Sequence, residues 1–311
     1  MALNSTTPDG AIIVLAGATG DLGSRIAGTL LKSGAQVRAL VRPGSTGAKI
    51  VALQAQGATI IEASLQQRRY LGKACAGAAC VVSALSGLQD VMVEAQTSLL
   101  RAAVAAGVPR FIPSDFAIDF TKLPAGTNRN LDLRRQFSEH LDKAPIAATS
   151  VLNGMFTDLL TGQAPLVLLG LKRIVYWEDA DQPLDFTTIN DTAAFTAAAA
   201  LDSSTPRYLR IAGDVRSARG LQEAASEATG KRFRLFRAGS LSRLDTIIKV
   251  TRTVFPQPEA VFPPWQGMQY LRNMFSGAPK LQPLDNNRYP DMPWTKVRDV
   301  LAQRVKGDQR I

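Results

Sequence analysis

The chain has 311 residues, 46% of them hydrophobic and 20% charged, which suits one α/β domain with an appended lobe and a sizeable core. Its net charge of +10 is carried by scattered basic residues, without zinc-finger spacing, an RNA-recognition signature or a helix-turn-helix signal. The expectation is a basic surface that attracts anionic small molecules, with no nucleic-acid partner. Two cysteines outside any Cys-x-x-Cys pair, and one histidine, His140, argue against a protein-held metal site and leave Ser-His-Asp chemistry only a surface-helix residue for its base.

The opening residues, Met1 to Gly10, are polar and lack the basic-then-apolar pattern of a signal peptide. No apolar stretch approaches the roughly 20 residues a spanning helix needs, so a cytoplasmic location and no membrane partner are expected. The apolar run from Ala11 predicts a first strand through Gly17. Asp21–Ser33 predicts a helix with Leu22, Ile26 and Leu30 on one face, closed by Gly34. Between them lies Gly17-Ala18-Thr19-Gly20-Asp21-Leu22-Gly23, a glycine turn in strand–turn–helix context. Gly17 permits the tight turn, Gly20 lets backbone approach a phosphate, and Gly23 lets the helix pack closely. The helix N-terminus then offers unpaired N–H groups to a dinucleotide pyrophosphate.

The alternation continues. Strands are expected at 35–41, 58–62, Cys80–Ala84 and Arg110–Pro113, and helices at 47–56, 66–76 and 91–106. Strands joined by helices imply a doubly wound parallel sheet of α/β class. Cys75 and Cys80 fall near a buried strand and read as reduced core residues. Strand two ends Leu40-Val41-Arg42-Pro43-Gly44-Ser45, where an NAD site usually places a carboxylate for the ribose 2′-OH. Arg42 stands there instead, and its guanidinium suits a 2′-phosphate, with Ser45 and Thr46 as further donors. NADP(H) is therefore the expected cofactor.

After Phe116 the pattern loosens. A loop at 116–127 precedes a helix at 131–143 and a sixth strand at 147–153. Short strands follow at 173–177, 184–189 and 208–212, with Asp191 expected to cap the helix through Leu201. The basic group 231–237 reads as a strand, and helices are expected at 217–230, 241–255 and 294–305. Phe255, Phe262, Trp265, Tyr270 and Phe275 crowd the last third, as a small lobe's own core or as a cover over substrate.

Gly17 through Gly23, Leu40-Val41-Arg42, Arg110-Phe111-Ile112-Pro113-Ser114-Asp115-Phe116, Asn153-Gly154-Met155-Phe156 and the late Asn287-Arg288-Tyr289-Pro290-Asp291 together resemble the atypical short-chain dehydrogenases. The likeness is to the isoflavone reductase and phenylcoumaran benzylic ether reductase group and its NmrA-like relatives. It implies a Rossmann-type NADP-binding domain over residues 1–153 and a smaller α+β substrate lobe over 154–311, with some segments returning to the first domain. It further implies that Gly17, Thr19, Gly20, Asp21, Leu22 and Gly23 line the pyrophosphate and that Arg42 holds the 2′-phosphate. Ser83, Ala84 and Leu85 would border the adenosine, and Phe116, Asn153 and Met155 the nicotinamide. Phe156, Trp265 and Tyr270 are the candidate substrate contacts.

Two departures stand out. No tyrosine has a lysine four residues on, as ordinary short-chain dehydrogenases require. The isoflavone reductase-like group places a catalytic lysine four residues before a paired Arg-Arg; here the pair is Arg134-Arg135 and the matching residue is Asn130. Asn130 can orient an acceptor oxygen by hydrogen bonding but carries neither charge nor titrating proton, and Lys122, in the loop, could swing in as a substitute cation. A quinone needs such help least, because its reduced anion is delocalised. The expectation is an NADPH-dependent oxidoreductase acting on a small aromatic, quinone-like or enone-like acceptor. The alternative is a non-catalytic NADP(H)-sensing regulator of the NmrA type. Oligomeric state stays open.

Overall fold

A computed structural model of the chain describes residues 10–65, 68–160, 162 and 166–308. The first half alternates as the periodicity predicts: β1 (Ile12–Ala16), α1 (Asp21–Lys32), β2 (Gln36–Val41), α2 (Ala48–Ala55), β3 (Thr59–Glu62), α3 (Arg68–Cys75), β4 (Cys80–Ser83), α4 (Gln96–Ala105) and β5 (Arg110–Ile112). The third helix was expected from Gln66; that residue and Gln67 lie outside the described residues. Next come α5 (Arg129–Leu141), β6 (Ala147–Ala148) and β7 (Ser150–Leu152). The expected sixth strand is thus two short strands on either side of Thr149.

β1 to β6 form one parallel sheet in the order β3-β2-β1-β4-β5-β6. This is the expected doubly wound α/β architecture, and its strand order reverses between β1 and β4. The strands are near-continuous apolar runs because both faces are covered. Val14, Val81 and Phe111 are fully buried, and α5 places Phe137 against Phe111 with ring centroids 6.1 Å apart. Cys75 and Cys80 are free thiols in this core, and burial pushes both up to about 11. His140 is exposed on α5.

The second half contains β8 (Met155–Phe156), β9 (Val167–Leu168), β10 (Arg173–Trp177), β11 (Leu184–Thr187), α6 (Ile189–Leu201), β12 (Tyr208–Arg210), β13 (Asp214–Arg216), α7 (Ala218–Thr229), β14 (Arg234–Gly239), α8 (Leu241–Val254), α9 (Pro264–Phe275) and α10 (Val297–Asp308). Two three-stranded sheets result, β14-β10-β9 and β13-β11-β8. Asp191, expected to cap α6, lies inside its first turn, and the Thr188 hydroxyl accepts from the Asp191 N–H at 3.0 Å. The Asp191 carboxylate is engaged elsewhere, accepting from the Thr295 N–H at 2.8 Å. A distant partner outcompetes the local cap. The last helix begins at Val297, three residues after Trp294, and its N–H donates to the Asp214 carboxylate at 3.0 Å.

The chain divides into two compact units. The first comprises Met1–Phe116, Leu133–Val151 and Thr192–Leu209 and contains the six-stranded sheet. The second comprises Ala117–Asp132, Leu152–Asp191 and Arg210–Ile311. The residues 116–127 read as a polar loop, but Ala117, Ile118, Asp119 and Phe120 are buried, and a 3₁₀ turn spans Phe120–Lys122. Asp119 makes that burial possible: Arg210 donates to its carboxylate at 2.8 Å. Among the described residues no helix is long and apolar enough to cross a membrane.

Candidate functional site

At the carboxyl ends of β1, β2 and β4, in the first unit, lies a cleft of about 910 Å³ lined by Gly17, Thr19, Arg42, Ser45, Lys49 and Leu85 among others. It sits where the strand order reverses, the crevice in which open α/β sheets bind ligands. The glycine turn is shaped by sterics. Gly17 has φ +80°, and a Cβ there would meet the Ala84 carbonyl oxygen at 2.4 Å. A Cβ on Gly23 would meet the Gly17 carbonyl oxygen at 2.1 Å. Gly23 therefore brings α1 onto the turn as well as toward the sheet. The Gly20 N–H donates to the Gly17 carbonyl at 3.0 Å, and Gly20 caps α1 with no side-chain acceptor. The first N–H groups of α1 thus lack intrahelical partners, which suits an anion. The Asp21 carboxylate is turned to Arg25 at 2.8 Å, so Asp21 offers an incoming phosphate its N–H while its charge is partly offset.

Arg42 is exposed at the end of β2. Glu62, at the end of β3, accepts from the Gly44 N–H at 3.0 Å and so secures the loop that carries Arg42. Lys49, in the first turn of α2, lines the same cleft. Sequence reasoning passed over it because six residues separate it from Arg42, and only the turn at 42–47 brings the two cations to one cleft.

Ser114, in the Pro-Ser-Asp-Phe segment, holds the opposite wall. Its hydroxyl donates to the Leu85 carbonyl at 2.6 Å, and its N–H donates to Gln96 Oε1 at 3.0 Å. Gln96 Nε2 in turn donates to the Met92 carbonyl at 2.7 Å, inside a π-helical turn at Asp90–Ala95. Asp90 and Ala95 of that turn line the cleft. π-turns of this kind recur at functional sites. Asp115 is fully buried: Ser150 donates to its Oδ2 at 2.6 Å, while Oδ1 has no partner. Burial raises its carboxyl above the ordinary value, against the opposing effect of the Ser150 bond.

The remaining expected residues are placed as follows. Ser83 is fully buried with its hydroxyl unpartnered, and Phe116 is buried. Both belong to the first unit. Asn130, Asn153, Met155, Phe156, Trp265 and Tyr270 belong to the second. Asn153 is fully buried and both of its amide atoms lack partners, while its backbone is held: its N–H donates to the Ala117 carbonyl at 3.0 Å and its carbonyl accepts from the Thr187 hydroxyl at 2.8 Å. Met155 is buried; Phe156 and Tyr270 are half-buried.

Asn130 and Trp265 have a different occupation from the one expected. Asn130 Nδ2 donates to the Val261 carbonyl at 2.8 Å, and its Oδ1 accepts from Arg129 at 3.0 Å. These bonds use one of the two Nδ2 donors and one of the two Oδ1 lone pairs and fix the amide against the segment around Val261. Trp265 is buried, with the guanidiniums of Arg129 and Arg252 4.7 and 5.1 Å from its ring, and its Nε1 donates to the Pro256 carbonyl. Arg129 also donates to the carbonyls of Ala260 and Val261, both at 2.8 Å. These side chains anchor the segment 256–261, so Trp265 belongs to the lobe's core. Phe275 is also core, against Trp177, whereas Phe255 and Phe262 are exposed.

Lys122 does not hang free in its loop. Its ammonium donates to the carbonyl of Lys280 at 2.7 Å and lies 3.7 Å from the Asp119 carboxylate. Sequence reasoning missed a second lysine, Lys280, which is paired with Asp185, 95 positions away. Burial raises the Asp185 carboxyl, opposed by the Lys280 bond and by the Leu281 N–H at 2.8 Å.

The sequence matches the NmrA-like family over residues 9–263. The chain belongs to that family. Among NmrA-like and related proteins it is 24% identical to the bifunctional pinoresinol-lariciresinol reductase of Linum usitatissimum, over 93% of this chain and 97% of that one. Its fold is similar to that of AtPrR2 solved with NADP+ and (+)-pinoresinol, with a TM-score of 0.78 at 20% identity, covering 95% of this chain and 99% of that one. It is also similar to the NADPH-dependent quinone oxidoreductase of Escherichia coli solved with NADPH, with a TM-score of 0.73 at 21% identity, covering 94% and 99%.

Proposed function

We propose that the chain is an NADPH-dependent reductase of small aromatic, quinone-like or enone-like acceptors. The observation that carries this reading is the cleft at the strand-order reversal. A glycine turn closed to any Cβ faces it, and two cations, Arg42 and Lys49, line it where an NAD site would place a carboxylate. The relatives support it: they include a pinoresinol-lariciresinol reductase and proteins solved with NADP+ or NADPH. In this reading the N–H groups of Asp21 to Gly23 hold the pyrophosphate, with Gly17, Thr19 and Gly20 lining it, and Arg42 and Lys49 hold the 2′-phosphate. Ser83 to Leu85 border the adenosine, and Phe116, Asn153 and Met155 face the nicotinamide. Bound NADPH supplies a hydride; the chain's part is to orient both reactants and to stabilise the charge that develops on the acceptor. Phe156 and Tyr270 are its candidate acceptor contacts.

The test is an NADPH-binding titration together with NADPH oxidation across quinones, enones and benzylic ethers. Binding with saturable turnover of any of these acceptors supports the reductase. Binding without turnover supports a second reading, a dinucleotide sensor, which rests on the engaged asparagine at position 130.

A further inference from the structure

One end of the sheet β14-β10-β9, in the second unit, gathers cations. β10 and β14 run parallel, so Arg173 stands beside Arg234, and Leu168 of β9 lies on the other side of Arg173. Register partners on neighbouring strands are about 4.8 Å apart and share a face. Like charges set side by side in this way are unfavourable. At the same end Lys172 precedes β10, and Lys231 and Arg232 precede β14; all three are exposed. The Arg234 N–H donates to the Lys172 carbonyl at 3.0 Å, which ties the two approaches together. Among the described residues none of these five cations is paired with a carboxylate. Charges often blunt an exposed edge strand, and β14 is an edge. Arg173 is on β10, the central strand, so edge protection does not account for it.

Apolar side chains are held out among these charges. The turn at 169–172 joins the antiparallel β9 and β10, and the Lys172 N–H closes it by donating to the Leu169 carbonyl at 3.2 Å. Leu171 in that turn is 70% exposed. Lys172 follows at φ +51°, the left-handed region that favours glycine. Strain of this kind, on a side chain that has no packing role, points to a functional surface. Phe236, beside Val175 in the register, is 54% exposed.

We propose that this end of the sheet is a docking surface for an anionic lipid membrane. Leu171 enters the boundary between headgroups and acyl chains, and Lys172, Arg173, Lys231, Arg232 and Arg234 meet the lipid phosphates. The two adjacent arginines then share an anion in place of repelling each other. A single-stranded nucleic acid would use the arginines and Phe236 but gains nothing from a leucine held out at a turn. A second copy of this chain would set the same cations against each other. The expectation of no membrane partner came from the lack of a spanning stretch, and surface docking needs none. None of these residues lines the cleft of the first unit, so the proposal stands apart from the reductase reading.

The test sediments the full chain with phosphatidylcholine vesicles, with and without phosphatidylglycerol. The wild type should bind the mixed vesicles, come off as salt rises, and leave the neutral vesicles unbound. Each cation at an anionic surface contributes about fivefold, so Arg173→Gln with Arg234→Gln should weaken binding about 25-fold. Leu171→Ser should weaken it about 10-fold. Lys32→Gln with Arg101→Gln, both exposed on the first unit, changes the net charge equally and should cost under about 3-fold. Leu171→Trp should gain fluorescence that brominated lipid quenches. Melting checks that each variant is folded, and the arginine pair variant should melt no lower than wild type because it removes a repulsion. Wild type that ignores the mixed vesicles overturns the proposal. So does equal loss in the two charge-matched pairs, or a Leu171→Trp variant that binds without quenching. Retention on single-stranded oligo(dT) without vesicle binding would assign the cations to nucleic acid and overturn it as well.

Discussion

At the scale of single residues, the proposed function gives Arg42 the cofactor preference. A guanidinium that meets a phosphate forms charge-assisted bonds, and losing it typically costs about 1.5–3 kcal/mol, or roughly 10–100-fold in affinity. Arg42→Ala should therefore weaken NADPH binding by about that factor and leave NADH binding almost unchanged in a fluorescence titration. Equal loss for both dinucleotides would assign Arg42 to the fold. Asp115 gives a second residue-scale outcome. Burial raises its carboxyl, so the folded chain binds that proton more tightly than the unfolded chain does. The stability tied to this group is fully present below about pH 3.9, the unfolded value, and declines as pH rises through the raised one. Asp115→Asn keeps an acceptor for Ser150 and removes the decline. Its melting temperature relative to wild type should be higher at pH 7 than at pH 4.

At the scale of elements, the turn between β1 and α1 depends on missing side chains. Gly23→Ala would drive a Cβ to within 2.1 Å of the Gly17 carbonyl, a rigid backbone atom, so α1 must move off the turn. The N–H groups at its start would move with it. The expected result is a lower melting temperature and at least about 10-fold weaker NADPH binding, since a ligand site misplaced by an ångström loses much of its effect. The opposite wall depends on the Ser114 hydroxyl, which ties β5 to Leu85. Ser114→Ala removes that part-buried bond, which is typically worth about 0.5–1.5 kcal/mol. Thermal melting should show that loss, and the titration a smaller loss of affinity than Arg42→Ala. The glycine turn and its helix were legible in the sequence because they rest on local sterics and on a 3.6-residue period. Lys49 and the π-helical turn were not, because the arrival of both at one cleft depends on where the chain folds back.

At the scale of the whole molecule, each compact unit is assembled from three separate segments of the chain. Within the first unit, Arg110 on β5 donates to the carbonyls of Ala199 and Ala200 at 2.9 and 3.2 Å, and Arg207 donates to the Ser150 hydroxyl at 2.6 Å. These bonds latch residues 192–209 onto the sheet. A fragment ending at residue 153, the boundary that the sequence suggests, would lose them and leave the buried Arg110 guanidinium without its acceptors. It should show no cooperative melt in calorimetry, whereas the full chain should. A fragment that melts cooperatively and binds NADPH would show that the latch is dispensable.

The sequence by itself determined the doubly wound sheet, the glycine turn, the arginine at the end of β2 and the membership that those motifs signal. Each is written in neighbouring residues, through hydrophobic period, glycine sterics or a short motif. Only the tertiary structure decided what the polar side chains of the second half do. Asn130 is bonded to Val261, 131 positions away, Asp191 to Thr295, 104 away, and Asp185 to Lys280, 95 away. A buried polar group takes whichever partner the packed chain delivers to it, because leaving it unpaired costs more than any local preference contributes. That is why position 130, read alone, suggested an orienting residue, while the fold gives its amide to a loop and pairs Lys280 with Asp185.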